Sequence, residues 1–278
     1  MSRKKKHGFW YYFGRLFVYF FKAIYWIFKG LFIAIAFLFR KGSKQVSKSI
    51  KKRKEKAVNA ARPKFKPKYS SLTEIKTVHG DISKFESHLL KKDSLIGIVL
   101  GARGSGKSAV GMKLLENFKA KTGRYVCAMG FKAGDVPDWI NVVENVDQIP
   151  NNAVVLIDEG GITFSSRKSM SNANQLLSEL LMIARHKSLT ILFITQNSSN
   201  LEVNVLRQAD FLILKPSSLL QKDFERKIVK KLYEDVADDF SALKDNEGIA
   251  YVHSDKFRGF VSNELPSFWS TDVSKSFK

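Results

Sequence analysis

The sequence predicts an α/β fold in which a mainly parallel sheet is flanked by helices, preceded by a hydrophobic membrane helix and a basic linker. Three observations carry that expectation. Apolar runs of strand length recur at residues 95–100 (LIGIVL), 153–157 (AVVLI) and 191–194 (ILFI), uninterrupted by polar residues as strands buried on both faces require. The stretches between them have helical spacing. Charge is also segregated: residues 1–70 hold 20 Lys and Arg against one acid, Glu55, whereas residues 71–278 hold 27 basic and 25 acidic residues. A nearly neutral body therefore carries a cationic arm, which points to one partner at one end rather than to a basic surface all round. The expected organisation is a membrane-associated segment at 1–40, a flexible basic linker at 41–72 and a catalytic domain at 73–278.

Residues 9–39 contain 15 aromatics, with neither the short apolar core nor the small-residue cleavage site of a secretory signal. As a helix the segment would be roughly 46 Å long, more than a bilayer core needs. Arg15, Lys22 and Lys29 recur every seven residues and so fall in one helical stripe. That stripe suits an in-plane or re-entrant helix whose cations reach anionic headgroups. In a spanning helix one of them would sit deep in hydrocarbon, at about 2.5–3.5 kcal/mol. Basic residues flank both ends, so both ends are expected to face the cytoplasm of the host inner or plasma membrane. A helix packed against a partner subunit is the competing reading. Over residues 41–72 Lys, Ser, Arg and Pro dominate, and anionic lipid or nucleic-acid phosphate could each neutralise the charge.

The apolar run at 95–100 leads into Gly101-Ala102-Arg103-Gly104-Ser105-Gly106-Lys107-Ser108 and then, from Ala109, into a helical pattern. This is a complete G-x-x-x-x-G-K-S phosphate loop in its strand-to-helix context. Glycines let backbone N–H groups wrap phosphates, and the helix N-terminus adds positive potential. Lys107 is placed to reach the β- and γ-phosphates, and the Ser108 hydroxyl to hold Mg²⁺. The lone cysteine, Cys127, lies in the apolar run 125–129 and cannot form an internal disulfide. It reads as a buried strand residue in a reducing compartment.

The run 153–157 ends in Asp158 and Glu159. Asp158 would bind the Mg²⁺ hydration shell opposite Ser108, and Glu159 would polarise the attacking water, which argues for hydrolysis. A helix is expected around residues 176–183. Gln196 closes the next strand where α/β sheets place their ligands, within reach of a γ-phosphate or water. Further strands are expected at 211–214 and 248–252, with a charged helical region at 224–242.

The run LIDEGGITFSSR at 156–167, followed by ARHKSLT at 184–190 and ITQ at 194–196, resembles the Zot-like ATPases of filamentous phages. More broadly it is similar to the HerA/FtsK branch of DNA-pumping P-loop ATPases. The resemblance covers about residues 94–216. It implies a RecA-like P-loop NTPase of the additional-strand, catalytic-Glu type that hydrolyses ATP with Mg²⁺. It makes Gln196 a polar sensor and either Arg207 or Arg185 the arginine finger of a neighbour's site, in a homo-oligomer of hexameric-ring form. The membrane segment precedes the ATPase here, unlike in phage Zot proteins, an order closer to membrane-anchored DNA pumps. The leading expectation is thus a membrane-tethered motor that translocates, packages or exports viral or plasmid DNA. The alternative is an ATPase driving assembly of a virion or secretion complex, with protein as its client. A P-loop kinase fits less well, because no arginine-rich lid follows the loop and Glu159 suits water activation.

Overall fold

A computed structural model describes residues 16–20, 22, 24–30, 32, 57–58, 60–159 and 170–275. The chain divides into two compact units, Met1–Ala60 and Ala61–Lys278. In the first, the described residues between 16 and 32 are helical. Phe17, Phe20, Trp26, Phe28 and Phe32 are each more than half exposed, and the Lys29 ammonium lies 4.9 Å from the centre of the Trp26 ring, a cation–π contact. No helix among the described residues is long and apolar enough to cross a membrane, so the expected membrane helix gains no support as a span. Residues 33–56 and the cation Arg15 lie outside the described residues.

The second unit runs β1 (Thr73–Gly80), α1 (Ile82–Lys91), β2 (Leu95–Leu100), α2 (Lys107–Thr122), β3 (Tyr125–Met129), β4 (Ile140–Val142), β5 (Ala153–Asp158), α3 (Met170–Ala184), β6 (Thr190–Thr195), α4 (Val203–Gln208), β7 (Phe211–Leu214), α5 (Leu219–Phe224), α6 (Lys227–Asp235), α7 (Ala237–Ala242), β8 (Ala250–Ser254), β9 (Phe257–Ser262) and α8 (Thr271–Ser274). The strands form one sheet in the order β1-β9-β8-β7-β2-β6-β5-β3-β4. From β7 to β4 all pairings are parallel, while β8, β9 and β1 extend the sheet antiparallel. The decisive feature is β6, which lies between β2 and β5. An additional strand therefore separates the loop-bearing strand from the acid-bearing one, as the family resemblance implies.

Both faces of the parallel strands are covered, which is why they read as unbroken apolar runs. On one face Val110, Leu114 and Phe118 of α2 pack with Val99, Val126, Leu156 and Leu192. On the other, Leu177 and Leu180 of α3, Val205 of α4 and Val229 of α6 pack with Ile98, Val155, Ile157 and Phe193. Gly111 brings α2 close to the sheet: a Cβ there would come within 2.7 Å of Leu156 and 3.0 Å of Ile194. Cys127 is buried in β3, and burial pushes its thiol up to about 11, so it stays protonated and inert.

Two departures from the expected outline stand out. Residues 61–72, assigned to a flexible linker, are instead fastened to the domain. The Arg62 guanidinium is buried and donates to the carbonyls of Val136 and Pro137. The amides of Lys68, Ser70 and Leu72 donate to Glu116, Asn117 and Glu86 at 3.0, 3.1 and 2.8 Å. The prolines that break a helix here leave backbone donors free, and these carboxylates and the amide of α1 and α2 satisfy them. The second is an unanticipated strand: the one expected at 248–252 reads as the last of the chain, but β9 comes after it and joins it to β1 at the sheet edge.

Candidate nucleotide site

The site gathers at the carboxyl ends of β2, β5 and β6. The loop leaving β2 turns through Gly101 at φ 154°, Gly104 at 78° and Gly106 at 88°, and Lys107 and Ser108 open α2. At Gly101 substitution is barred twice: by the backbone angle, and by Lys215 and Ser105, which a Cβ would approach to 2.6 and 2.8 Å. Ala102 is half-buried, Arg103 exposed and Ala109 buried at the start of α2. The Ser105 hydroxyl is buried inside the loop without a hydrogen-bond partner. A buried polar atom of this kind calls for a ligand, and a phosphate oxygen would accept from it.

Lys107 is buried and donates to the carbonyl of Ala102 at 2.7 Å. Burial lowers its pKa, and the nearby Asp158 carboxylate partly opposes that shift. The Ser108 hydroxyl donates to Asp158 Oδ2 at 3.0 Å. A hydroxyl and a carboxylate, side by side at the mouth of a phosphate loop, are the hard oxygen donors that Mg²⁺ prefers when substrate phosphates and water complete its shell. The residues fit the ion: Ser108 and Asp158 would hold it, and it would neutralise charge on the phosphates.

Glu159 is buried next to Asp158. Burial raises its carboxyl above the ordinary carboxylate range; hydrogen bonds from Thr195 and Asn200 oppose this, and the Asp158 charge adds to it. A carboxylate moved towards neutrality is a stronger base for water. The Thr195 hydroxyl donates to Glu159 Oε2 and accepts from the Asn197 amide at 3.2 Å. Thr195 and Asn200 thus both hold the Glu159 carboxyl, and neither was anticipated from the sequence. The signal for Thr195 was present, as the polar terminus of an otherwise apolar strand.

Gln196, one residue further on, is exposed at the carboxyl end of β6, and its carbonyl accepts from Gln221 Nε2. Arg185 and Arg207 are exposed and precede β6 and β7. Because Thr190 is in register with Leu95 and Phe211 with Gly97, both arginines belong to the amino edge of the sheet, away from their own chain's loop. The run 160–167, which carries part of the family resemblance, lies outside the described residues.

A phosphate loop, an inserted strand and a buried Asp-Glu pair define a nucleoside triphosphatase, and the chain is a P-loop ATPase. Residues 134–214 match the family described as Zonular occludens toxin (Zot). No curated protein sequence matches the chain. Similar solved structures include B204, the DNA-packaging ATPase from Sulfolobus turreted icosahedral virus, with TM-score 0.44 and 16% identity, over 62% of this chain and 98% of that one. The N-terminal domain of zonular occludens toxin from Neisseria meningitidis has TM-score 0.36 and 14% identity over 66% of this chain and 99% of its own. EssC ATPases 2 and 3 from Geobacillus thermodenitrificans have TM-score 0.42 and 14% identity over 76% of this chain and 48% of theirs.

Proposed function

We propose that the chain is a membrane-tethered, Mg²⁺-dependent ATPase motor that moves viral or plasmid DNA, working as a ring of identical subunits. The observation that carries the motor reading is the buried Asp158–Glu159 pair at the end of β5, with Thr195 holding Glu159. That arrangement serves hydrolysis rather than passive binding. Lys107 and the loop amides bind the triphosphate, Glu159 takes the proton from water, and Gln196 contacts the γ-phosphate or that water.

DNA is favoured over a protein client by a basic groove at the end of α1, lined by Lys84, His88, Lys91, Lys92 and Lys256. It lies at the amino edge of the sheet, where a phosphate backbone could bind without touching the ATP site. The exposed arginines Arg185 and Arg207 occupy the same edge, and a ring would bring one of them to a neighbour's nucleotide. Exposed aromatics and Lys29 in the first unit support docking on anionic lipid from the cytoplasmic side.

ATP hydrolysis by the full chain, measured with and without single- and double-stranded DNA, tests this reading. Stimulation that falls steeply with salt is expected; intact basal hydrolysis without stimulation assigns the chain to virion or secretion-complex assembly instead. Titrating Arg207→Ala or Arg185→Ala subunits into wild type should poison activity more than proportionally for the true finger. Flotation with phosphatidylserine vesicles should retain the full chain and lose residues 61–278.

A further inference from the structure

Lys215 follows β7, is 1% exposed, and has no part in the hydrolytic scheme above. It sits directly behind the phosphate loop. Its amide donates to the Leu100 carbonyl at 2.7 Å, and the carbonyl of Pro216 accepts from the Ala102 amide at 3.0 Å. Its ammonium nitrogen is 3.9 Å from where a Cβ on Gly106 would stand. That ammonium donates to the carbonyls of Gly248 and Ile249 at 2.6 and 2.9 Å and to Asn263 Oδ1 at 3.1 Å. From α6, the Tyr233 hydroxyl donates to the Lys215 carbonyl at 3.2 Å.

All three acceptors of the ammonium are neutral, and no acid pairs with it among the described residues. The hydrogen bonds make the buried cation tolerable without cancelling its charge. Burial pushes its pKa down to about 8, so it remains mostly protonated at neutral pH. A full positive charge thus stands behind the amides that wrap the phosphates, in a medium that screens it poorly.

We infer that Lys215 is a second cation of the phosphate site, attracting the polyphosphate through the loop without touching it and bracing that loop against the β8–β9 hairpin. The inference rests on the ATP-site reading and names a positioning residue that the motif does not contain. A field acts in proportion to ligand charge, so its contribution should rank ATP above ADP above AMP.

The test separates charge from brace. Asn263→Asp keeps the acceptor at its place but gives the ammonium a counter-ion, which cancels the field and leaves the brace intact. With the full chain at pH 7 and low salt, N263D should weaken ATP binding about tenfold, ADP less and AMP least, while the chain stays folded; the bond from Asn263 Nδ2 to the Glu264 carbonyl is the one contact it removes. Lys215→Met, which removes both charge and brace, should lose at least as much ATP affinity. N263D with wild-type affinity for ATP, or with one equal loss for all three nucleotides, overturns the inference even if K215M fails to fold. Absence of ATP binding by the wild type would instead overturn the site reading, and the role of Lys215 with it.

Discussion

The two ends of the parallel strands both bury charge, and they do so for opposite purposes. At the amino edge, the Arg124 guanidinium donates to the carbonyls of Lys92, Asp93, Asn152, Ala153 and Ser188 and to the Thr190 hydroxyl, all at 3.0–3.4 Å. It stitches the entrances of β2, β3, β5 and β6 together, and its donors are used up. At the carboxyl edge, the Lys107 ammonium makes one bond, to a carbonyl of its own loop, and the Ser105 hydroxyl makes none. Arg124, with every donor spent on strand entrances, is architecture; Lys107, held by a single internal carbonyl, is ready to exchange that partner for a phosphate.

Breaking the carboxyl edge should remove function and spare the fold. Lys107→Ala should abolish saturable ATP binding while leaving the melting temperature close to wild type, because the lysine contributes little to packing; equilibrium binding and thermal denaturation check both halves. Glu159→Gln should keep ATP affinity and lower kcat by about 10²–10⁴-fold, the usual range for a lost general base. Single-turnover hydrolysis reads it directly, and turnover at the wild-type rate would remove Glu159 from the chemistry.

Breaking the amino edge should do the reverse. Arg124→Met strands five carbonyls and a hydroxyl in a buried place, and should cost about 3 kcal/mol or more in urea denaturation. Below its melting temperature the variant should still bind ATP with nearly wild-type affinity. A selective loss of nucleotide affinity with unchanged stability would erase the distinction between the two edges.

The same contrast explains what could be read from the chain alone. β2, β3, β5, β6 and β7 are buried on both faces, so each leaves a compact apolar run, and the loop and acids at their ends stand out against it. β1 is an edge strand, TEIKTVHG, with no fully buried residue, and β9 is interrupted by Arg258 and Gly259. Neither carries a pattern that separates it from a loop, and their pairing depends on contacts made across the whole chain. α1 went unread for a similar reason: only Phe85 and Leu89 of its residues are buried. At the site, Lys107, Ser108, Asp158 and Glu159 were legible because their spacing is fixed by local geometry. Lys215 and Asn200 were not, since what makes them matter is the side chain or loop that folding brings beside them. Residues 61–72 misled for the opposite reason, as their Lys and Pro content reads as solvated while their backbone amides and Arg62 are the parts that bind.

Thr195 gives the smallest expected effect and the finest test of how the carboxyl edge works. Its hydroxyl donates to Glu159, and that bond counteracts the upward pull of burial on the carboxyl pKa. Thr195→Val keeps the shape of the strand end and removes the donor, so the carboxyl pKa should rise further. Glu159 acts as a base only when ionised, and activity therefore climbs as pH rises through this pKa. The acid limb of the kcat profile should move to higher pH, with the loss greatest on that limb, because a hydrogen bond that favours the ionised carboxyl is gone. Much of that loss should be recovered at alkaline pH, where the carboxyl is ionised with or without the donor. A loss that stays constant across the profile would mean that Thr195 orients Glu159 rather than tuning it, and would place the rise in its pKa outside the mechanism.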